Sequence, residues 1–184
     1  RRGIGYAVGI KNIGFSEGFD DYSTARARIQ IVNGEPVVEI HTAAAEVGQG
    51  LVTLKGQIAR TELGVQRVVV HVSDTQVGSA GSTSASRQSY VTGGAVQTAC
   101  KALRDDILLL AMEKLGHLHP HLLHFRSQYR LVDGEIRDGE GHLVTSLADL
   151  LKDKTLEATR EYRHRPTTPI DPITGQGLPH AQFS

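Results

Sequence analysis

The chain has 184 residues, 39% apolar and 22% charged, with 20 Lys+Arg against 20 Asp+Glu; it is long enough for one domain with a core or two small ones, and disordered or fibrous chains are excluded. The zero formal net charge argues against nucleic-acid or membrane binding by bulk electrostatics. One cysteine, Cys100, and no signal peptide or long apolar run exclude a disulfide framework and a membrane span, so a reducing, cytoplasmic compartment is the expectation.

In chain order, Ile4 to Phe15 alternates loosely with glycines and reads as a strand. Asp20-Asp21 reads as a solvated loop pair. Ala25 to Val32 alternates cleanly, with Ala25, Ala27, Ile29 and Ile31 on one face. Asn33-Gly34 is a hairpin turn, and Pro36 to Thr42 returns as the partner strand. Leu51, Leu54, Ile58 and Leu63 have near-helical spacing, and Gly64 stands where a C′ glycine belongs. Val68 to Val72 is β-branched and reads as a buried strand.

A second, long helix is predicted from about Ser86 to Leu115, closed by Gly116. Gly93-Gly94 inside it would cost about 1 kcal/mol each if exposed, so close packing against another backbone is expected there. Cys100 falls on its apolar side and reads as a buried small hydrophobe; Asp105-Asp106 falls on its exposed face. Phe125 to Val132 and Glu135 to Arg137 flank the hairpin signal Asp133-Gly134. Ser146 to Leu151 is a short capped helix, Thr155 to His164 a strand, and Thr167 to Gly177 a loop. The order implies an α+β fold: two main helices, one long, on a mixed, mostly antiparallel sheet.

Two loops carry the chemistry. EVGQG, Glu46 to Gly50, leads into the first helix, where glycines permit close backbone approach and Gln49 offers donors and an acceptor. GSAGSTSASRQ, Gly78 to Gln88, leads into the second with four serines and a threonine. Unpaired N–H groups and the positive end of the dipole make helix starts anion sites. At the second, the N–H groups of Ser86, Arg87 and Gln88 are expected to point outward, with Arg87 adding a positive charge. Each loop alone has a plain structural reading, since Ser and Thr are preferred N-caps. Neither is a P-loop or a dinucleotide fingerprint. Two such loops in one small domain point to one polar ligand between them. Glu46 either serves the helix dipole or orders the Gln49 loop.

These residues resemble a family. EVGQG before a helix, a strand ending in Ser73-Asp74-Thr75, the serine loop with its AS-RQ, then Gly93-Gly94-Ala95-Val96 are similar to the molybdenum-cofactor-binding subunit of the xanthine dehydrogenase and aldehyde oxidase family. The resemblance runs from about Arg2 to Ser184 and is strongest from Glu46 to Cys100. It implies hydroxylation of purines, other N-heterocycles or aldehydes with oxygen from water. It implies a molybdenum–pyranopterin cofactor, bare or extended by a cytidine nucleotide, with the metal held through the pterin and not by protein side chains. The cofactor-binding positions it implies are Gly48, Gln49, Gly50, Thr83, Ser84, Ser86, Arg87 and Gln88. Gln49 falls to the pterin edge and Ser86 through Gln88 to the phosphate.

The family's catalytic glutamate sits in a Gly-x-Gly-Glu motif that these 184 residues do not contain, and its role is that of a general base. The chain opens Arg1-Arg2 and stops at Phe183-Ser184. The expectation is a domain from the middle of a larger subunit, inert alone and not retaining its cofactor alone. Its partners are the remaining domains and iron–sulfur and flavin domains or subunits, for which one cysteine offers no cluster ligands here. The alternatives are a stand-alone phosphate- or nucleotide-binding module, and a scaffold whose serine loop is only a cap. His117, His119, His121 and His124 read as an incidental surface cluster able to bind nickel or zinc weakly.

Overall fold

The computed structural model describes residues 2–8, 20–115, 128–166 and 168–175. Strand β1 (Tyr22–Val32) buries every second side chain from Ser23 to Ile29, as its alternation predicts. It turns through Asn33 and Gly34, both at positive φ, into β2 (Glu35–Thr42), paired antiparallel. Helix α1 (Leu51–Leu63) ends on Gly64, whose φ of +59° and N–H bond to the Arg60 carbonyl make it the C′ residue. A Cβ on Gly64 would also lie 2.3 Å from the Leu131 carbonyl oxygen, so only glycine fits.

Strand β3 (Arg67–His71) pairs parallel with β2. It is not the buried strand its composition suggests. The sheet order is β3-β2-β1-β7, so β3 is an edge, and Val69 is 41% exposed. A β-branched run reports packing on a pleated surface, not position in the sheet. Strand β7 (Leu156–Arg163) closes the other side, antiparallel to β1.

Helix α2 (Gly93–Leu115) is preceded by a π-helical turn, Gln88–Thr92. Together they span the predicted long helix. Both helices cover one face of the sheet, and the core joins Ile29 and Ile40 to Ala95, Val96, Ala99, Leu103 and Ile107 of α2. Cys100 is buried, and burial pushes its thiol up to about 12. Asp105 and Asp106 are half-buried rather than exposed. Beyond α2, β4 (Arg130–Val132), β5 (Glu135–Arg137) and β6 (Leu143–Ser146) form a small antiparallel sheet turning at Asp133-Gly134. The sequence pattern missed β6, a four-residue strand with Leu143 exposed. Helix α3 (Leu147–Leu151) is capped by Ser146, whose Oγ accepts from the Asp149 N–H at 3.0 Å.

Among residues 4–8 there is no strand; the rest of that expectation, like the 117–124 histidine cluster, lies outside the described residues. Residues 168–175 are turn and irregular, as read. Among the described residues no helix is long and apolar enough to cross a membrane. The close packing expected at Gly93-Gly94 is against side chains, not backbone. A Cβ on Gly94 would sit 2.7 Å from the Tyr162 ring, and one on Gly93 would meet Ile58 at 3.6 Å. Tyr162 is itself held edge-on by Tyr90 at 5.9 Å. Replacing Gly94 by Ala gains about 1 kcal/mol of helix propensity but drives a methyl into that ring. A net loss of about 1–3 kcal/mol is expected from overpacking, read as a lower midpoint in urea unfolding.

Candidate functional site: two loops at one end of the sheet

The Gln49 loop and the serine loop meet. Ala44 at the end of β2, Leu51 at the start of α1 and Ala80 in the serine loop bury one another, with Ala43 and Leu54 packed around them. The two segments therefore share one small apolar floor, and their polar faces lie on the solvent side. Gly48, Gln49 and Gly50 are exposed, as are Ser82, Thr83 and Ser84, while Ser86 is half-buried.

The start of α1 is already served. Glu46 turns its carboxylate onto the helix: Oε1 accepts from the N–H groups of Gly48 (2.8 Å) and Gly50 (3.1 Å), and Oε2 from Val52 (2.9 Å). These bonds, Val52's first, hold its carboxyl below the usual range. Of the N–H groups expected to be free at this helix start, that of Val52 is thus taken by a side chain. Gln49 folds back on the loop. Its Oε1 accepts from the Val47 N–H (2.6 Å) and its Nε2 donates to the Ala45 carbonyl (3.0 Å). An amide has two N–H groups and two lone pairs, so one of each remains for a ligand. A Cβ at Gly48 or Gly50 would meet nothing within 4 Å. Space is open there, and φ of +100° and +79° is what requires glycine.

The serine loop is built from beneath. Arg87 is 1% exposed and donates all five of its N–H groups. Nε bonds Asp21 Oδ2 (2.6 Å); one terminal nitrogen bonds the carbonyls of Ala80 (2.6 Å) and Ser82 (2.8 Å). The other bonds Asp21 Oδ1 and the Tyr22 carbonyl. Asp21, read from sequence as solvated, is 4% exposed and pairs with this guanidinium. The outward positive charge expected of Arg87 is therefore absent: fork geometry and burial commit it to Asp21. Its N–H also bonds inward, to the Ser84 carbonyl at 3.0 Å. Gln88 is buried beside it. Its Nε2 reaches the Ser82 carbonyl (3.1 Å) and Thr83 Oγ1 (3.4 Å), and its Oε1 accepts from Thr92. Thr92 in turn bonds Ser23 of β1 at 2.8 Å.

What remains outward is hydroxyl. Among the described residues, the hydroxyls of Ser82, Ser84 and Ser86 make no bond to protein. A cleft of about 350 Å³ lined by Thr61, Glu62, Arg104 and Tyr129 lies at the other end of α1, about 20 Å away at 1.5 Å per residue.

One further group belongs to this end. Lys55, on α1 just past the Gln49 loop, has no exposed surface, and its Nζ bonds Thr42 Oγ1 at 2.6 Å. Burial pushes its ammonium down to about 8, with the charge of Glu46 opposing. Sequence periodicity missed it, because a lysine on the polar side of a helical pattern reads as solvated.

Residues 1–184 match the family described as molybdopterin cofactor-binding domain. The chain belongs to that family. It is 33% identical over 118 residues to aldehyde oxidase 2 from Macaca fascicularis, covering 61% of the chain and 8% of that protein. Its fold is similar to quinoline 2-oxidoreductase from Pseudomonas putida 86, at a TM-score of 0.57 and 24% identity over 81% of this chain and 20% of that one. It is also similar to the Cu,Mo-CO dehydrogenase, at 0.57 and 20% identity over 78% of this chain and 19% of that one. The chain thus spans about a fifth of these structures and under a tenth of the curated relative.

This family's cofactor is a pterin with a phosphate, and the residues present fit it. Unbonded hydroxyls and a free amide edge face an open glycine-lined surface. Asp21→Asn leaves the Arg87 charge buried and unpaired, and a loss of about 3–5 kcal/mol is expected in urea unfolding. Lys55 sets a pH dependence. From about 8 the unfolded chain holds a proton that the folded one has released, so Lys55 makes stability rise with pH; from about 9 the buried Cys100 thiol opposes it, because the unfolded chain there loses a proton that the folded one keeps. Below about 8 the Lys55 penalty is complete. Lys55→Met is expected to abolish the rise and to gain about 1–3 kcal/mol at pH 7, checked by urea unfolding from pH 7 to 10.

Proposed function

We propose that this chain is the pterin-binding domain of a larger molybdenum hydroxylase subunit. The parent oxidises an N-heterocycle, a purine or an aldehyde with water as oxygen source. The observation that carries the reading is the convergence of the two loops on the shared Ala44–Leu51–Ala80 floor, with ligand-ready groups on the solvent side of both. The family match along the whole chain supports it. So does the small share of each relative that the chain covers.

In this reading Gly48, Gln49 and Gly50 lie against the pterin edge, and Gln49 bonds it with its remaining N–H and lone pair. Thr83, Ser84 and Ser86 give hydroxyl bonds to the phosphate, and Gln88 a backbone N–H. Arg87 acts from beneath as a positioning residue. It holds the Ala80 and Ser82 carbonyls inward, so the loop presents hydroxyls rather than carbonyls to an anion. The same phosphate is open to a cytidine extension. When bound, the molybdenum–pyranopterin supplies the two-electron redox centre and the activated oxygen. This domain holds and orients it and helps exclude bulk water. The general base and the substrate pocket come from other parts of the parent, and iron–sulfur and flavin domains or subunits take the electrons. A cytoplasmic, cofactor-loaded complex follows.

The test is the molybdenum and pterin content of the parent protein from molybdate-replete cells, compared with Gln49→Ala/Ser86→Ala. The double variant is expected to lose at least tenfold of both at unchanged thermal stability. Equal content in the two proteins moves the cofactor off these loops. A parent that holds neither metal nor pterin overturns the enzyme reading and returns the domain to a phosphate- or nucleotide-binding module.

A further inference from the structure

The sheet face opposite the helices carries a second cluster that the cofactor does not use. Glu39 and His41 stand two residues apart on β2, and His71 of β3 is the register partner of His41. His41 Nδ1 lies 2.8 Å from Asp74 Oδ2. A carboxylate oxygen accepts, so Nδ1 donates to it. The lone pair is then at Nε2, which is buried and has no hydrogen-bond partner. Facing it at 3.6 Å is Glu39 Oε2. With His41 neutral, a lone pair faces a carboxylate, and the gap must be filled by a proton or a cation.

A small cation resolves this. Bonds of about 2.0–2.1 Å to both atoms would span the gap at an angle of about 120°, near what a four-coordinate zinc accepts. A third ligand is at hand: one ligand atom from each of Glu39, His41 and His71 lies within 4.8 Å of the others. The His71 ring stacks on His41 at 4.2 Å and 10°, which does not aim both lone pairs at one point. His71 is exposed, so its ring is free to leave the stack and turn its lone pair toward the other two ligand atoms.

We propose that Glu39, His41 and His71 bind a zinc-class divalent cation, with Asp74 fixing the His41 tautomer and water as the fourth ligand. Imidazole and carboxylate donors suit zinc, cobalt and nickel, and a carboxylate behind a ligating histidine orients the ring. Gln30 Nε2 holds Glu39 Oε1 at 3.0 Å, which keeps Oε2 for the ion. Charge opposes binding. Arg28 Nη1 is 3.7 Å from Glu39 Oε2, and Arg26 Nη2 is 3.5 Å from Asp74 Oδ2. These guanidiniums weaken binding, and removing the Arg28 charge tightens it. It requires nothing of the pterin site.

The 184-residue chain, stripped with chelator, is titrated with zinc chloride by calorimetry and with cobalt(II) by visible absorption. The background variant carries His117, His119, His121 and His124 all changed to Asn, because HLHPHLLH offers competing imidazoles. One equivalent is expected to persist in that variant, with the intense cobalt bands of a four-coordinate site. Glu39→Gln, His41→Gln and His71→Ala are each expected to weaken binding at least tenfold, and Arg28→Gln to tighten it severalfold. His71 is exposed, so His71→Ala keeps the fold, as circular dichroism will show. Zinc binding that vanishes with the four-histidine change, or that survives His71→Ala and Glu39→Gln undiminished, overturns the proposal; a proton then meets the Nε2 lone pair.

Discussion

The buried pair of Arg87 and Asp21 ties the parts of this domain together. Asp21 stands just before β1, and Arg87 where the chain turns into the long helix. Their bond fixes the first strand against the start of the helix that covers it. The guanidinium's other three N–H groups take carbonyls from Tyr22, Ala80 and Ser82. A loop rich in small polar residues has little apolar surface to hold it in place. Here the anchoring comes from below, through one cation whose donors are all used. Burying it is costly, and a fully satisfied network is what makes the cost tolerable.

The same logic explains why two similar-looking loops differ. The start of α1 is satisfied by Glu46, a carboxylate from its own loop. The start of α2 is widened into a π turn, where the Gly93 N–H reaches back to the Gln88 carbonyl. Such turns are rare and concentrate at functional sites. One loop thereby offers a free amide edge, and the other free hydroxyls. Lys55, buried under the first loop, balances the Glu46 charge without reaching the surface.

Much of the architecture was legible. Asn33-Gly34 and Asp133-Gly134 announced hairpins because few other pairs accept positive φ at both positions. Leu51 to Leu63 with Gly64 announced α1, because spacing and a left-handed stop agree. Sheet position was not legible in Val68 to Val72, since an edge strand and an inner one use the same residues. Nor was the partner of Gly94, because a ring 68 residues away in sequence leaves no mark on the local pattern.

By itself the sequence determined local things: where the chain turns and which faces are apolar. Motif order was enough to place the chain in its family. Only the tertiary structure decided how charge is spent. Arg87 and Asp21 are 66 residues apart, and in the linear chain each looks solvated. Whether a charge faces water or another charge depends on what folding brings opposite it, and local periodicity carries no such information. The same holds on the outer sheet face, where strand register alone set His71 beside His41 and left a buried nitrogen facing a carboxylate.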